Sequence, residues 1–283
     1  MGRRYDALFA DLEARGEGAF VPFLMLGDPS PQVSLEVVRA VVGAGADALE
    51  LGVPFSDPVA DGPTIQASHA RALRGGADVA SAIEQVRAIR AEFPDLPIGM
   101  LIYGNVAFAR GVDRFYADFG PEGAGADSVL LPDVPVRESA PFVAAAEAAG
   151  VDPVFIAPAR ADERTLERVA ACSRGYVYAV SRDGVTGAER SSQTLGLSEA
   201  VASIRRFGGP PVLLGFGIST PGHVADALAA GAAGAITGSA ITAIVDRHVS
   251  SGGDGGRARV EDVGALTREV SAYVASMKAA TRR

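Results

Sequence analysis

Eight short apolar runs separated by longer stretches of helical period constrain this chain more than any other feature. The runs are AFVPFLM (19–25), DALELGV (47–53), PIGMLIY (97–103), DSVLLPD (127–133), DPVFIAP (152–158), GYVYAVS (175–181), PVLLGFG (211–217) and AGAITGS (233–239). Near-continuous hydrophobicity is what parallel strands covered on both faces require, whereas half-exposed antiparallel strands alternate apolar and polar residues. Between the runs lie amphipathic segments such as SLEVVRAVVGAGA, ASAIEQVRAIRAEF, ESAPFVAAAEAAG and GHVADALAAGAA, several ending in the glycine expected at a helix C-terminus. Eight such repeats favour an α/β fold of the closed (β/α)8 TIM-barrel type, with extra short helices, over an open doubly wound sheet. The first strand-to-helix turn also lacks the GxGxxG of dinucleotide-binding sheets. At 283 residues the chain slightly exceeds the ~250 of one barrel. No Pro/Ser-rich linker divides it, so residues 1–283 are expected to form a single domain. The patch SSGGDGGRAR (250–259) is expected to be a flexible surface loop before the last helix.

Composition excludes several chemistries. Of the 26 basic residues only Lys278, in the C-terminal MKAATRR, is a lysine, so Schiff-base and pyridoxal chemistry lack their buried amine. His69, His223 and His248 are far apart and form no HxH or HExxH cluster, so no metal and no cofactor are expected, and each is read as a helix-surface or capping histidine. The single Cys172 reads as a buried structural thiol. A net charge of −8 argues against nucleic acid as a partner. No apolar stretch approaches the ~20 residues that span a bilayer, and the N-terminus has no signal core, so a cytoplasmic protein without a membrane partner is expected.

In a barrel the active site is built at the C-terminal ends of the strands. There, ELGVPFSDPVADGPTIQ places Glu50 inside the second apolar strand and Asp61 in the long loop after it. Burial should push the Glu50 pKa upward, toward the range of a general acid or base, unless an arginine neutralises it. Asp61 in an ADGP turn is equally a turn former or a helix cap. Glycine-rich turns follow the seventh and eighth strands, LLGFGISTPGHV and AITGSAIT. Ser219, Thr220 and Ser239 are candidate caps that would leave free N–H groups for an anion, at the positions where barrels frequently bind phosphate. The polar loop SRDGVTGAERSSQT after the sixth strand reads either as a mobile lid or as a solvated connection. Tyr178 reads either as a core aromatic or as a hydroxyl donor to the site.

These segments, together with GAFVPFLMLGDPS, PIGMLIYGN, SVLLPDVPV, GYVYAVSRDGVTG and GAAGAITGSAI, resemble the tryptophan synthase alpha-subunit family in order and over essentially the whole chain. The resemblance implies cleavage of indole-3-glycerol phosphate into indole and glyceraldehyde 3-phosphate, and transfer of indole to a beta subunit in an alpha2beta2 complex. It implies that Glu50 is the general acid/base and Asp61 the second catalytic carboxylate, near the indole N–H. Tyr178, Phe23, Leu101, Tyr103, Leu130 and Phe216 correspond to the indole site and Thr186 to a lid threonine. Gly187, Gly217, Gly238 and Ser239 correspond to phosphate-binding positions, and Pro54, Asp57, Asn105 and Pro135 to segments facing the beta subunit. Met25 stands where relatives often carry a small polar residue, and 250–259 looks inserted.

Without a lysine or a metal, C–C cleavage needs an electron sink in the substrate, and an indole ring protonated at C3 supplies one. Rival readings are a free-standing lyase that releases indole without a beta subunit, a sugar-phosphate isomerase and a non-catalytic binding module. The isomerase would want a carboxylate on the fifth strand, where VFIAPAR offers none, and the binding module leaves a buried Glu50 without a purpose. The long loop carrying Asp61 is expected to need ordering by a partner.

Overall fold

A computed structural model describes residues 3–158, 160–180, 196–252 and 256–282. Its strands are β1 (Ala19–Met25), β2 (Leu49–Gly52), β3 (Ile98–Leu101), β4 (Ser128–Leu130), β5 (Asp152–Val154), β6 (Ile156–Ala157), β7 (Val177–Ala179), β8 (Val212–Leu214) and β9 (Gly234–Thr237). They are hydrogen-bonded in the order β5-β4-β3-β2-β1-β9-β8-β7-β6, and every pairing is parallel. The two ends of that order, β5 and β6, are consecutive pieces of one extended segment interrupted at Phe155, so the sheet closes into a barrel. The fifth apolar run is therefore two short strands. Barrel strands tilt and stagger, so the lower half of this segment faces β4 while its upper half has moved on to β7.

Side chains alternate across the barrel wall, as the period of a strand dictates. Val21, Phe23 and Met25 of β1, with Ala48, Leu101, Leu130, Val154, Ile156, Tyr176, Tyr178, Leu213 and Ile236, pack together inside the barrel. The residues between them, including Phe20, Leu24, Leu49, Leu51, Val129, Val177 and Leu214, pack outward against the helices. Met25 is accommodated inside by glycine: a Cβ at position 52 would lie 2.9 Å from its Cε and 2.8 Å from Phe23 Cζ.

Helices alternate with the strands, and their starts are chemically marked. Ser30, Asp78, Asp162, Thr220 and Asp262 each accept a backbone N–H in the first turn of the helix they precede. The short helix Gly104–Arg110 and a 3-10 turn at Val136–Glu138 supplement the repeat. The N-terminal helix Arg3–Arg15 inserts Tyr5 into the barrel floor, where its hydroxyl pairs with Ser128 Oγ at 2.9 Å. The C-terminal helix Val263–Ala279 ends in a clasp: Lys278 Nζ lies 3.0 Å from Glu17 and 2.9 Å from Asp47.

Two expectations are revised. The patch at 250–259 is not a featureless loop. Its described residues belong to an antiparallel pair of strands, β10 (Val249–Gly252) with β11 (Gly256–Val260). Cys172 is half-buried at the end of the helix Glu163–Cys172, not fully buried, and accepts a hydrogen bond from Ser139 at 3.7 Å. No helix among the described residues is long and apolar enough to cross a membrane.

Candidate active site

Glu50 lies on β2 between the outward-facing Leu49 and Leu51, on the same face as the inward Ala48, and the barrel wall encloses it: it is 1% exposed. Tyr176 donates its hydroxyl to Glu50 Oε1 at 2.9 Å, while Oε2 takes no hydrogen bond from the described residues. Among the described residues no arginine neutralises it. Burial pushes the Glu50 pKa up from 4.5 to about 7; the Tyr176 bond opposes the shift and the nearby Asp61 carboxylate adds to it. Tyr178 shares this space. Burial holds its hydroxyl well above the usual tyrosine range, with Glu50 and Asp61 adding to the effect. Its hydroxyl donates to the Gly215 carbonyl at 2.5 Å, and only glycine fits there, because a Cβ at 215 would lie 1.9 Å from Tyr178 Cζ.

Asp61 sits on the loop between β2 and the helix Pro63–Arg74, and the chain itself pins that loop. Tyr103 donates to Asp61 Oδ2 at 2.8 Å, and its oxygen accepts the Ala60 N–H at 3.0 Å. His69 Nε2 lies 3.2 Å from the same Oδ2, and His69 Nδ1 accepts the Phe55 N–H at 2.9 Å. Gln66 holds the Asp61 carbonyl at 2.8 Å. The Phe55 ring stacks on Tyr103 with centroids 5.1 Å apart. The loop that was expected to need a partner to order it carries these bonds within the single chain. Both side-chain bonds fall on Oδ2, which leaves Oδ1 without a partner among the described residues.

The glycine turns after β8 and β9 meet at the same rim, joined by Thr237 Oγ1, which donates to the Ile218 carbonyl at 2.6 Å. Gly217 has φ of 77°, a conformation that favours glycine. Thr220 caps the helix Pro221–Ala229 as expected. Ser239 does not cap: it is the first residue of the helix Ser239–His248, Gly238 is the cap position, and no side chain satisfies that terminus. The first backbone bond of this helix is from Thr242 N to the Gly238 carbonyl, so the N–H groups of Ser239, Ala240 and Ile241 remain available to an anion. Phe23 adjoins this turn, with Cδ1 3.0 Å from where a Gly238 Cβ would stand.

Of the remaining expected site residues, Leu101 and Leu130 belong to the inner cluster, whereas Phe216 is exposed at the rim. Thr186 and Gly187 lie outside the described residues. On the rim, Asp57, Asn105 and Pro135 are exposed, but Pro54 is buried and offers no surface. The loops after β2, β3 and β4 are bonded to one another through Tyr103 to Ala60 and Asp61, and through the Gly104 N–H to Asp133 at 2.7 Å. They display Val59, 83% exposed, and Phe108, 64% exposed, neither anticipated from sequence. His69 is also revised: it is 3% exposed, not a surface or capping residue. Tyr176 was missed as well, although the alternation that turns Tyr178 inward places residue 176 on the same face.

The family model for the tryptophan synthase alpha chain matches residues 9–275. The tryptophan synthase alpha chain of Corynebacterium aurimucosum is 67% identical, over 99% of this chain and 98% of the relative. That of Shewanella oneidensis is 49% identical, over 98% and 95%. Among solved structures, a chain of Mycobacterium tuberculosis tryptophan synthase superposes with a TM-score of 0.84 at 29% identity, each chain covered in full (100%). Tryptophan synthase subunit alpha of Legionella pneumophila superposes with a TM-score of 0.82 at 26% identity, 98% of each chain covered.

Proposed function

The chain belongs to the tryptophan synthase alpha chain family, and on that premise we propose that Glu50 and Asp61 are the carboxylates with which it cleaves indole-3-glycerol phosphate. The reaction gives indole and D-glyceraldehyde 3-phosphate in L-tryptophan biosynthesis, a lyase step. The observation that carries the residue assignment is the state of Glu50: buried, with a pKa of about 7, one oxygen held by Tyr176 and the other without a partner among the described residues.

A carboxyl group of that pKa is divided between acid and base at neutral pH, so it can both give and take protons. Glu50 delivers a proton to indole C3, turning the ring into an indolenine that accepts the electrons of the breaking C–C bond. Glu50, now a carboxylate, takes the proton from the adjacent glycerol hydroxyl, which completes the aldehyde. Asp61 Oδ1 faces the ring nitrogen and stabilises the positive charge that develops there. Phe23, Leu101, Leu130 and Tyr178 surround the indole. The phosphate rests on Gly217 and on the free N–H groups behind Gly238 and Ser239. We extend the same reading to Thr186 as a lid residue and Gly187 as a phosphate contact. One barrel domain, residues 1–283, carries all of this, without a cofactor.

The partner is a beta subunit, in an alpha2beta2 assembly in the cytoplasm. The rim formed by the loops after β2, β3 and β4 faces it: Asp57, Asn105, Pro135 and the exposed Val59 and Phe108 supply polar contacts and apolar area on three linked loops. Two measurements test the proposal. Glu50→Gln should lower indole release by ~10²–10⁴-fold, and near-normal turnover would remove Glu50 from the mechanism. Titration with a beta subunit should activate cleavage, and Phe108→Glu should weaken that activation without changing the residual rate of the free chain. A variant activated like the native chain would place the interface elsewhere.

A further inference from the structure

His69 lies on the second turn of the helix that follows the Asp61 loop, buried at 3% exposure, and each ring nitrogen has one partner. The Phe55 N–H can only donate, so Nδ1, 2.9 Å away, must present its lone pair. The proton of the neutral ring then resides on Nε2, which points at Asp61 Oδ2 from 3.2 Å. The same oxygen takes the Tyr103 hydroxyl at 2.8 Å, and the Tyr103 and His69 rings meet at an angle of 64° with centroids 6.2 Å apart.

We propose that His69 is a positioning residue for the cleavage reaction: the Phe55 N–H selects its tautomer, and the selected Nε2–H holds Asp61 Oδ2 so that Oδ1 faces the substrate. The inference rests on the assignment of Asp61 made above. One backbone donor on the loop thereby sets the side chain at the loop's far end. The two hydrogen bonds to Oδ2, from a Tyr103 ring stacked on Phe55 and a His69 ring set edge-on to Tyr103, leave Asp61 little freedom to rotate, and a group held in its reactive orientation contributes to the rate and not to substrate affinity.

Two variants separate the two bonds. His69→Gln carries an amide N–H near the Nε2 position and loses the Phe55 acceptor, whereas His69→Asn places its carbonyl near Nδ1 and cannot reach Asp61. For the full chain with beta subunit added to saturation, His69→Asn should lower kcat by ~10–100-fold, the cost of losing a hydrogen bond to a charged group. KM for indole-3-glycerol phosphate should change little, and His69→Gln should recover most of the rate. In an Asp61→Asn background, His69→Asn should cause no further loss. Equal losses in the Gln and Asn variants, unchanged kcat in both, or additive losses in the double variant would overturn the proposal. If Asp61→Asn alone leaves turnover intact, the Asp61 assignment fails and takes the inference with it; a full effect of Asp61→Asn without one of His69→Asn sinks only the latter. A nitrogen NMR spectrum of the native chain, independent of how any variant folds, should show the proton of His69 on Nε2, and a proton on Nδ1 would overturn the tautomer assignment.

Discussion

A buried carboxyl group keeps its proton more readily than one in water, and the preference costs stability when the proton is finally lost. Glu50, raised from 4.5 to about 7, binds a proton in the folded chain over a pH range where the unfolded chain has released it. Its contribution is complete below pH 4.5 and is lost as pH rises to about 7. That shift corresponds to ~3 kcal/mol. Glu50→Gln cannot titrate, so between pH 4 and pH 8 the native chain should lose ~3 kcal/mol relative to the variant, read from denaturant unfolding. Parallel stability curves would show that Glu50 is ionised at no cost. Tyr176 works against the shift, so Tyr176→Phe should move the limb of the kcat/KM profile governed by Glu50 to higher pH. An unmoved limb would mean that the bond is absent in the working enzyme. At this scale the sequence exposes Glu50, because a charge within an apolar strand is conspicuous. It conceals His69, because nothing in QASHARAL reveals that a loop residue folds back onto the helix beside it.

The two helices at the phosphate rim differ in one way that matters. Thr220 satisfies the start of Pro221–Ala229, whereas Ser239–His248 begins with no side-chain cap. Binding of inorganic phosphate should therefore perturb and protect the amides of Ser239 and Ala240 in NMR or hydrogen exchange, leaving those near His223 largely unchanged. The reverse pattern would relocate the anion. Thr220→Ala should cost ~1 kcal/mol of stability through its lost cap, with phosphate affinity retained. Both glycine turns are visible in the sequence, but which of them stays open is not. A serine one residue before a helix and a serine that begins it look alike, and backbone geometry alone distinguishes them. The split of the fifth strand at Phe155 is hidden for a related reason: DPVFIAP is apolar throughout, and only barrel stagger decides where its hydrogen bonds change neighbour.

Across the whole molecule, the eightfold alternation of apolar runs and amphipathic segments makes the barrel legible, since no other common architecture uses that many buried parallel strands. What seals the barrel floor is less visible. Lys278, at the end of the last helix, is separated by most of the chain from Glu17, just before β1, and Asp47, just before β2, and meets them only after closure. Lys278→Met would leave both carboxylates without their principal cation, and should lower the midpoint of unfolding while leaving kcat near its native value. An unchanged midpoint of unfolding would show the clasp to be incidental. The clasp also turns the only lysine of the chain into a reporter. Apart from the α-amino group, amine-directed reagents have a single target, and its ammonium is engaged by two carboxylates wherever the final helix is seated. The rate at which Lys278 is labelled therefore measures how often that helix lifts from the barrel, without a probe having to be introduced.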